Sequence, residues 1–296
     1  MNGILLVDKP TGLTSHDVVD KIRRAAGIRR VGHTGTLDPG ATGLLILCLG
    51  PATRLSEHLT NLDKTYEGTM RLGIVTDSYD LEGKTLEERP APALDVAALQ
   101  RACEPFTGDI MQVPPMLSAV KVGGRRLYKM ARKGEDVERP ARPVTVREFR
   151  VLAYEPPDAH IRVCCTRGTY VRSLCHEVGQ ALGCGAAIAS LRRTSVGGYL
   201  VENALPVDRF ETPDDVRARL LPLDEALDLP EVAIRPASRR ILATGGALGI
   251  KDLIGECPIR EGWIQVKSQS GTLLALGQVG MGSRGLRIQP KRVFRN

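Results

Sequence analysis

The sequence predicts an α+β fold, with a body spanning residues 1–230 and a small C-terminal β module spanning residues 231–296. Three observations lead there. Strand-like and helix-like patterns interleave without regular βαβ alternation. The 296 residues are 42% apolar and 25% charged, an ordinary globular balance in a chain long enough for two domains or one large one. Residues 206–230 form a proline-interrupted stretch, after which short strand-like runs with glycine turns take over for about 65 residues.

The elements follow in order. ILLV (4–7) reads as a short strand and DKPTG (8–12) as a turn. Thr14 and Asp17 fit a capping box; Val18, Val19, Ile22, Ala25 and Ala26 keep helical spacing, and Gly27 is a C-cap. VGHTGTLDPGATG (31–43) is a loop by its glycines, threonines and proline. It opens onto LLILCL (44–49), a buried strand, and then a short helix in PATRLSEHL (51–59). KTYEGTMRLG (64–73) places Tyr66, Gly68, Met70 and Leu72 on one face of a half-buried strand. ALDVAALQRAC is a helix ending before Pro105.

VPPMLSAVKVGGRRLYKMARKG (113–134) reads as a turn, a strand, a Gly-Gly turn and a basic helix stopped by Gly134. PVTVREFRVLAYE and IRVCCT are strands expected to pair. GTYVRSLCHEVGQALG (168–183) is a helix with Val171, Leu174, Cys175, Val178 and Leu182 at apolar spacing, which sets Arg172 in its first turn. Beyond residue 230, VAIRPASRRILATGG, GWIQVKSQSGTLLALGQVG and GLRIQPKRVF read as short strands.

Composition bounds the function. A formal charge of +7 favours a polyanionic partner such as nucleic acid. No apolar run is long enough to span a membrane as a helix, and MNGILLVDKP lacks the basic n-region of a signal peptide, so no membrane association is expected. Seven cysteines without a C-x-x-C pair point to neither a disulfide framework nor a zinc site, and a reducing cytoplasm is the expected location.

Single residues carry weak signals. Asp38 fits an Asp-Pro turn whose carboxylate accepts a backbone N–H. It equally fits a carboxylate exposed for chemistry by Gly35, Gly40 and Gly43, as nucleophile, base or, least readily, metal ligand. His33 alone reads as a turn histidine. Tyr66 is by default a core residue, though its place beside Lys64 suits base stacking near a phosphate. Arg172 opposes the helix dipole, which mildly favours an anionic partner. RRLYKMARK (125–133), with Tyr128 interleaved, reads as a surface helix or an RNA phosphate contact.

In order along the chain, DKPTGLTSHDVV, GHTGTLDPGATGLLI, DKTYEGTMRLG, VPPMLSAVKVGGRRLYKMARKG, RGTYVRSLCHEVGQALGCGA and LRRTSVGGY resemble the TruB family of pseudouridine synthases. The resemblance spans nearly the whole chain, and its most specific motif is GHTGTLDP. It implies a mixed-sheet catalytic domain (1–230) and a β-barrel-like PUA domain (231–296). It implies isomerisation of a tRNA T-loop uridine, position 55, without guide RNA or cofactor, by a monomer that grips the T-loop and elbow. Carried over motif by motif, Asp38 matches the catalytic aspartate and His33 the histidine that fills the place of the flipped-out uridine. Tyr66 matches the tyrosine stacked on the target base, and Lys64 the basic residue of K-x-Y. Tyr170 matches a second pocket tyrosine, and Arg172 the aspartate's partner, whose planar fork can hold a carboxylate bidentately. Gly40 stands where a bulkier residue is common, and Gly198-Tyr199 replaces Pro-Phe.

Two readings of other classes stand beside this one: a non-catalytic tRNA-binding or folding protein, and the catalytic subunit of a guide-RNA complex like the related dyskerin group. The C-terminal module, with Arg284, Arg287, Lys291, Arg292 and Arg295, is expected to add tRNA affinity. Its removal is expected to leave a folded catalytic body.

Overall fold

The computed structural model describes residues 1–118, 120–127, 130, 135, 137–282 and 285–294. Its body is built on strands β1 (Gly3–Lys9), β2 (Val31–His33), β3 (Thr42–Leu49), β4 (Lys64–Leu72), β5 (Gly108–Gln112), β6 (Arg142–Glu155), β7 (Asp158–Cys165) and β8 (Ala186–Val196). Helices α1 (Ser15–Ala26) and α2 (Val171–Ala181) pack against them. Across the sheet the order is β1-β3-β8-β4-β7-β6-β5, with β2 paired to β3. Most pairs are antiparallel, but β3 and β8 run parallel, so the sheet is mixed.

The continuous apolar runs of β1 and β3 are explained by burial on both faces. Ile4, Leu6, Leu44, Ile46 and Cys48 point into one cluster, while Leu5, Val7, Leu45, Leu47 and Leu49 point into another beneath α1. A strand covered on both sides needs no polar alternation. Helix α1 begins at the expected capping box, with Thr14 and Asp17 bonded reciprocally, and ends on left-handed Gly27. On β4, Met70 and Leu72 enter a third cluster with Val171, Leu174, Cys175 and Val178 of α2, and Tyr66 packs at its edge. Strands β6 and β7 pair as expected.

The parallel contact between β3 and β8 is brief, Arg192 facing Thr42 and Arg193 facing Gly43. Gly43 has φ 102°, and a Cβ there would lie 2.3 Å from the Arg193 carbonyl oxygen. Glycine is required at that crossing, which brings Arg193 to the end of the 31–43 loop.

Two expectations need adjustment. Arg125–Arg126 is the second strand of a hairpin with Lys121–Val122, closed by Gly123 and Gly124 at φ 56° and 80°. The paired glycines close a tight turn, so the chain is still extended where a helix was expected to begin. Most of the remaining basic segment, including Tyr128, lies outside the described residues. Beyond residue 230, the stretch read as strand throughout turns helical over Pro236–Ser238 and Arg239–Ala243.

The C-terminal residues form a six-stranded, barrel-like sheet: Glu231–Ile234, Leu248–Gly249, Leu253–Ile254, Gly262–Lys267, Leu273–Gly282 and Gly285–Val293. It has a core of its own, including Ile234, Leu248, Ile264 and Ile288. It also shares one with the body: Leu273, Leu276 and Phe294 join the cluster of Ile4, Ile46, Cys48 and Leu55. The Arg54 guanidinium donates to the Val293 carbonyl, Arg292 pairs with Glu57, and the His58 and Trp263 rings meet edge-on at 5.9 Å. Among the described residues, no helix is long and apolar enough to cross a membrane.

Candidate active site

The loop carrying Asp38 is pinned on both sides of that residue. Ser15, in the first turn of α1, accepts from the Leu37 N–H at 2.8 Å and donates to its carbonyl at 3.0 Å. The Pro39 carbonyl accepts from Gly12 N–H at 2.9 Å and from Lys9 Nζ at 3.1 Å. Lys9 also donates to Pro10 and Leu13, so its ammonium spends three donors on three carbonyls. Burial lowers Lys9 to about 8. The Asp38 carbonyl accepts from Ala41 N–H at 3.1 Å and closes the turn, which leaves the carboxylate free of that task.

That carboxylate meets Arg172. Its Oδ2 lies 2.9 Å from Arg172 Nη2, with the aspartate side chain 42% exposed and the arginine 5%. The bidentate fork expected for this pair is not what forms. Nη2 also donates to the Leu117 carbonyl at 3.0 Å. Nη1 turns away, donating to the Ser78 carbonyl at 2.6 Å and lying 3.3 Å from Asp80 Oδ2. The reason is burial: a guanidinium out of water needs a partner on every edge, and one half-exposed carboxylate supplies only one.

All six residues singled out from the sequence line one cavity of about 400 Å³. Asp38 and His33 come from the 31–43 loop, Lys64 and Tyr66 from β4, and Tyr170 and Arg172 from the start of α2. That volume suits a ligand the size of a single nucleoside. Tyr66 faces Arg193 across the β4–β8 pair, and burial raises its phenol above the ordinary range. Burial also raises Tyr170, whose backbone N–H and carbonyl are both held by the Gln112 amide at 2.8 and 3.1 Å. His33 Nδ1 accepts from Gly35 N–H at 3.4 Å; burial, and then the Arg193 charge, lower its pKa. Lys64 reaches the cavity wall, but its Nζ donates to the Thr60 and Leu62 carbonyls at 2.5 and 2.6 Å, and burial lowers it to about 8.

Three contributors escaped the sequence reading. Asp80, in TDSYDLEG (76–83), shares Arg172 with Asp38, and an acid in a glycine-ended turn was its only sequence signal. Arg193, in the quoted LRRTSVGGY, is fully buried and donates to the Leu44 carbonyl at 2.7 Å and the Gly35 carbonyl at 3.1 Å. It thereby ties the loop to the floor of the cavity. Gln112 carried no signal at all. The expected Gly40 departure has a local counterpart, since Glu82 occupies the space a Cβ would take.

Comparison with known proteins bears on this arrangement. Residues 23–171 match the TruB family pseudouridylate synthase N-terminal domain, and residues 172–228 match the tRNA pseudouridylate synthase B C-terminal domain. Among curated relatives, tRNA pseudouridine synthase B of Clostridium novyi is 39% identical over 290 residues, 98% of this chain and 99% of that protein. The Burkholderia pseudomallei protein of the same name is 42% identical over 286 residues, 95% of this chain and 94% of its own. The Opitutus terrae protein, again of that name, is 49% identical over 228 residues, 76% of this chain and 95% of its own. Of solved structures, an H/ACA RNP bound to a substrate RNA containing 2′-deoxyuridine aligns at TM-score 0.73 and 26% identity over 99% of this chain and 85% of that one. A Cbf5–Nop10–Gar1 complex aligns at TM-score 0.74 and 29% identity over the same shares. With the domain models accounting for the loop, β4 and the start of α2 that build the cavity, and relatives matching nearly end to end, the chain belongs to the TruB family of pseudouridylate synthases.

Proposed function

We propose that this protein converts a uridine of tRNA to pseudouridine, at position 55 in the T-loop, without a guide RNA. The observation that carries the reading is Asp38, held from both sides and set against Arg172 in a cavity sized for one nucleoside. The reaction breaks the C1′–N1 bond, turns the uracil over and joins C1′ to C5, with the C5 proton lost and N1 protonated. Nothing is oxidised, so a carboxylate near C1′ or C6 and a closed pocket that keeps the detached base are sufficient. Asp38 supplies the first, and Tyr66 and Tyr170 wall the second. A T-loop uridine must leave its stack at a cost of a few kcal/mol, and stacking on Tyr66 returns about 1–3 kcal/mol. His33, five residues before Asp38 on the same loop, fills the vacated place.

The same reading has the protein act as a cytoplasmic monomer, with residues 231–296 as a PUA-like RNA-binding domain reaching the tRNA elbow. Arg287 and Lys291 are exposed on that module, Arg292 is engaged with Glu57, and Arg284 and Arg295 lie outside the described residues. The deciding assay is tritium release from C5-labelled uridine in a bare tRNA transcript with the purified protein alone. Release only after a guide RNA and partner proteins are added would favour the second reading, which the fold likeness to H/ACA proteins keeps in view.

Arg172→Lys should lower the single-turnover rate at least ~10-fold, about 1.4 kcal/mol of barrier. The positive charge survives, but one ammonium cannot span Asp38 on one side and Ser78 and Asp80 on the other. A lysine variant running at the wild-type rate would remove the geometric role. Binding should weaken with salt: neutralising about five phosphates gives a log–log slope near −3.5 to −4.5. A flat profile in a filter-binding titration would disconnect the +7 charge from RNA.

A further inference from the structure

The turn at residues 76–83 holds one edge of Arg172, and its centre is unusual. Tyr79 has φ 65°, the one non-glycine residue at positive φ among the described residues. A large side chain disfavours that left-handed backbone, which bonds inside the turn help to hold: Thr76 Oγ1 donates to the Asp80 carbonyl at 2.7 Å and Ser78 Oγ to Asp80 Oδ1 at 2.5 Å. The conformation has a consequence on either side of Tyr79: the Ser78 carbonyl and the Asp80 carboxylate both face Arg172 Nη1.

The Tyr79 ring lies on the His176 ring, centroids 3.9 Å apart and planes 15° from parallel. His176 follows Arg172 by four residues on α2, which puts both on one helical face. The turn therefore meets α2 twice, through polar groups at Arg172 and through a ring at His176. The His176 Nδ1 is buried without a hydrogen-bond partner among the described residues, so that nitrogen does not fix the ring. Burial also lowers the histidine's pKa, a shift toward the neutral imidazole. On the other side, β8 anchors the turn through Ile188 N–H to the Tyr79 carbonyl at 2.9 Å and Leu81 N–H to the Ile188 carbonyl at 3.1 Å. Those bonds dock the turn on the sheet, and Ser78 Oγ and Glu82 N–H, donating to Asp80 Oδ1, set that carboxylate within the turn; the ring stack is the contact that sets the turn as a whole against α2 beside Arg172.

We propose that Tyr79 and His176 are positioning residues whose stack locks the turn onto α2, so that Ser78 and Asp80 hold one edge of Arg172 and aim the other at Asp38. The proposal rests on Asp38 being the reacting carboxylate. The wild-type protein and Asp38→Asn are assayed alongside, so an inactive wild type counts against that reading and not against the lock.

The test compares single-turnover rate at saturating tRNA, tRNA affinity and melting temperature in Tyr79→Ala, Tyr79→Phe, His176→Ala and His176→Phe. Loss of the ring at either position should slow the chemical step about 10- to 30-fold, with affinity within about twofold of wild type. The phenylalanine variants keep a ring and should stay within about threefold. Because the pair acts as one unit, the double alanine variant should be no slower than the slower single. Tyr79→Gly suits the left-handed backbone but has no ring, and should be as slow as Tyr79→Ala. His176→Gln keeps the bulk without the ring and should also be slow, which decides the matter if an alanine variant fails to fold. Wild-type rates in the ring-less variants, equal losses in the phenylalanine and alanine variants, or lost affinity at unchanged rate would each overturn the lock.

Discussion

Asp38→Asn is expected to lower the rate of pseudouridine formation at least about 10³-fold, about 4 kcal/mol of barrier, while tRNA affinity stays within a few-fold of wild type. The substitution keeps shape and removes charge. It should spare the fold, because the loop is held through the backbone of Leu37 and Pro39 and not through the Asp38 carboxylate. Arg172 would keep Asp80 and two carbonyls, so its burial would remain compensated. Asp80 cannot replace the lost group: its carboxylate lies on the far edge of the guanidinium and accepts from Ser78 Oγ at 2.5 Å. Tritium release under single-turnover conditions, with binding measured on the same preparation, checks both halves. Substantial release by the asparagine variant would assign the chemistry to another group.

Truncation after residue 230 is expected to destabilise the body severely. Leu273, Leu276 and Phe294 are buried among Ile4, Ile46, Cys48 and Leu55, and removing them uncovers the apolar face they cover. At about 1.5–3 kcal/mol for each buried side chain, the loss is roughly 5–9 kcal/mol, a large share of the 5–15 kcal/mol that typically holds a protein together. The melting temperature should fall by at least about 10 °C, or the fragment should aggregate. This differs from the expectation drawn from the sequence, in which the body survives intact and only affinity suffers. A fragment that melts like the full protein and keeps its single-turnover rate would show that the shared cluster contributes little.

Much of the site was legible because family motifs are local. GHTGTLDP, K-x-Y and GTYVR each place their residues within a few positions, and all six residues line the same cavity. What those motifs could not convey is where each polar head goes. The motif makes Lys64 the basic neighbour of a base-stacking tyrosine, yet its ammonium is occupied by two carbonyls of the preceding turn. The motif gives Arg172 as a fork for one carboxylate, yet it divides its nitrogens among four acceptors from three separate segments.

By itself, the sequence determined the α+β class, the strands and helices that frame the cavity, and the family. These rest on short-range physics: two-residue and 3.6-residue periodicity, a capping box at Thr14, glycines at turns. The tertiary structure alone decided that Asp80 joins Asp38 on Arg172, that Arg193 ties the loop to the cavity floor, and that the C-terminal sheet shares the core of the body. Each of these joins residues more than 40 positions apart. Such contacts depend on sheet register and on the burial of charge, which makes a guanidinium gather acceptors from whatever segments the fold brings near it.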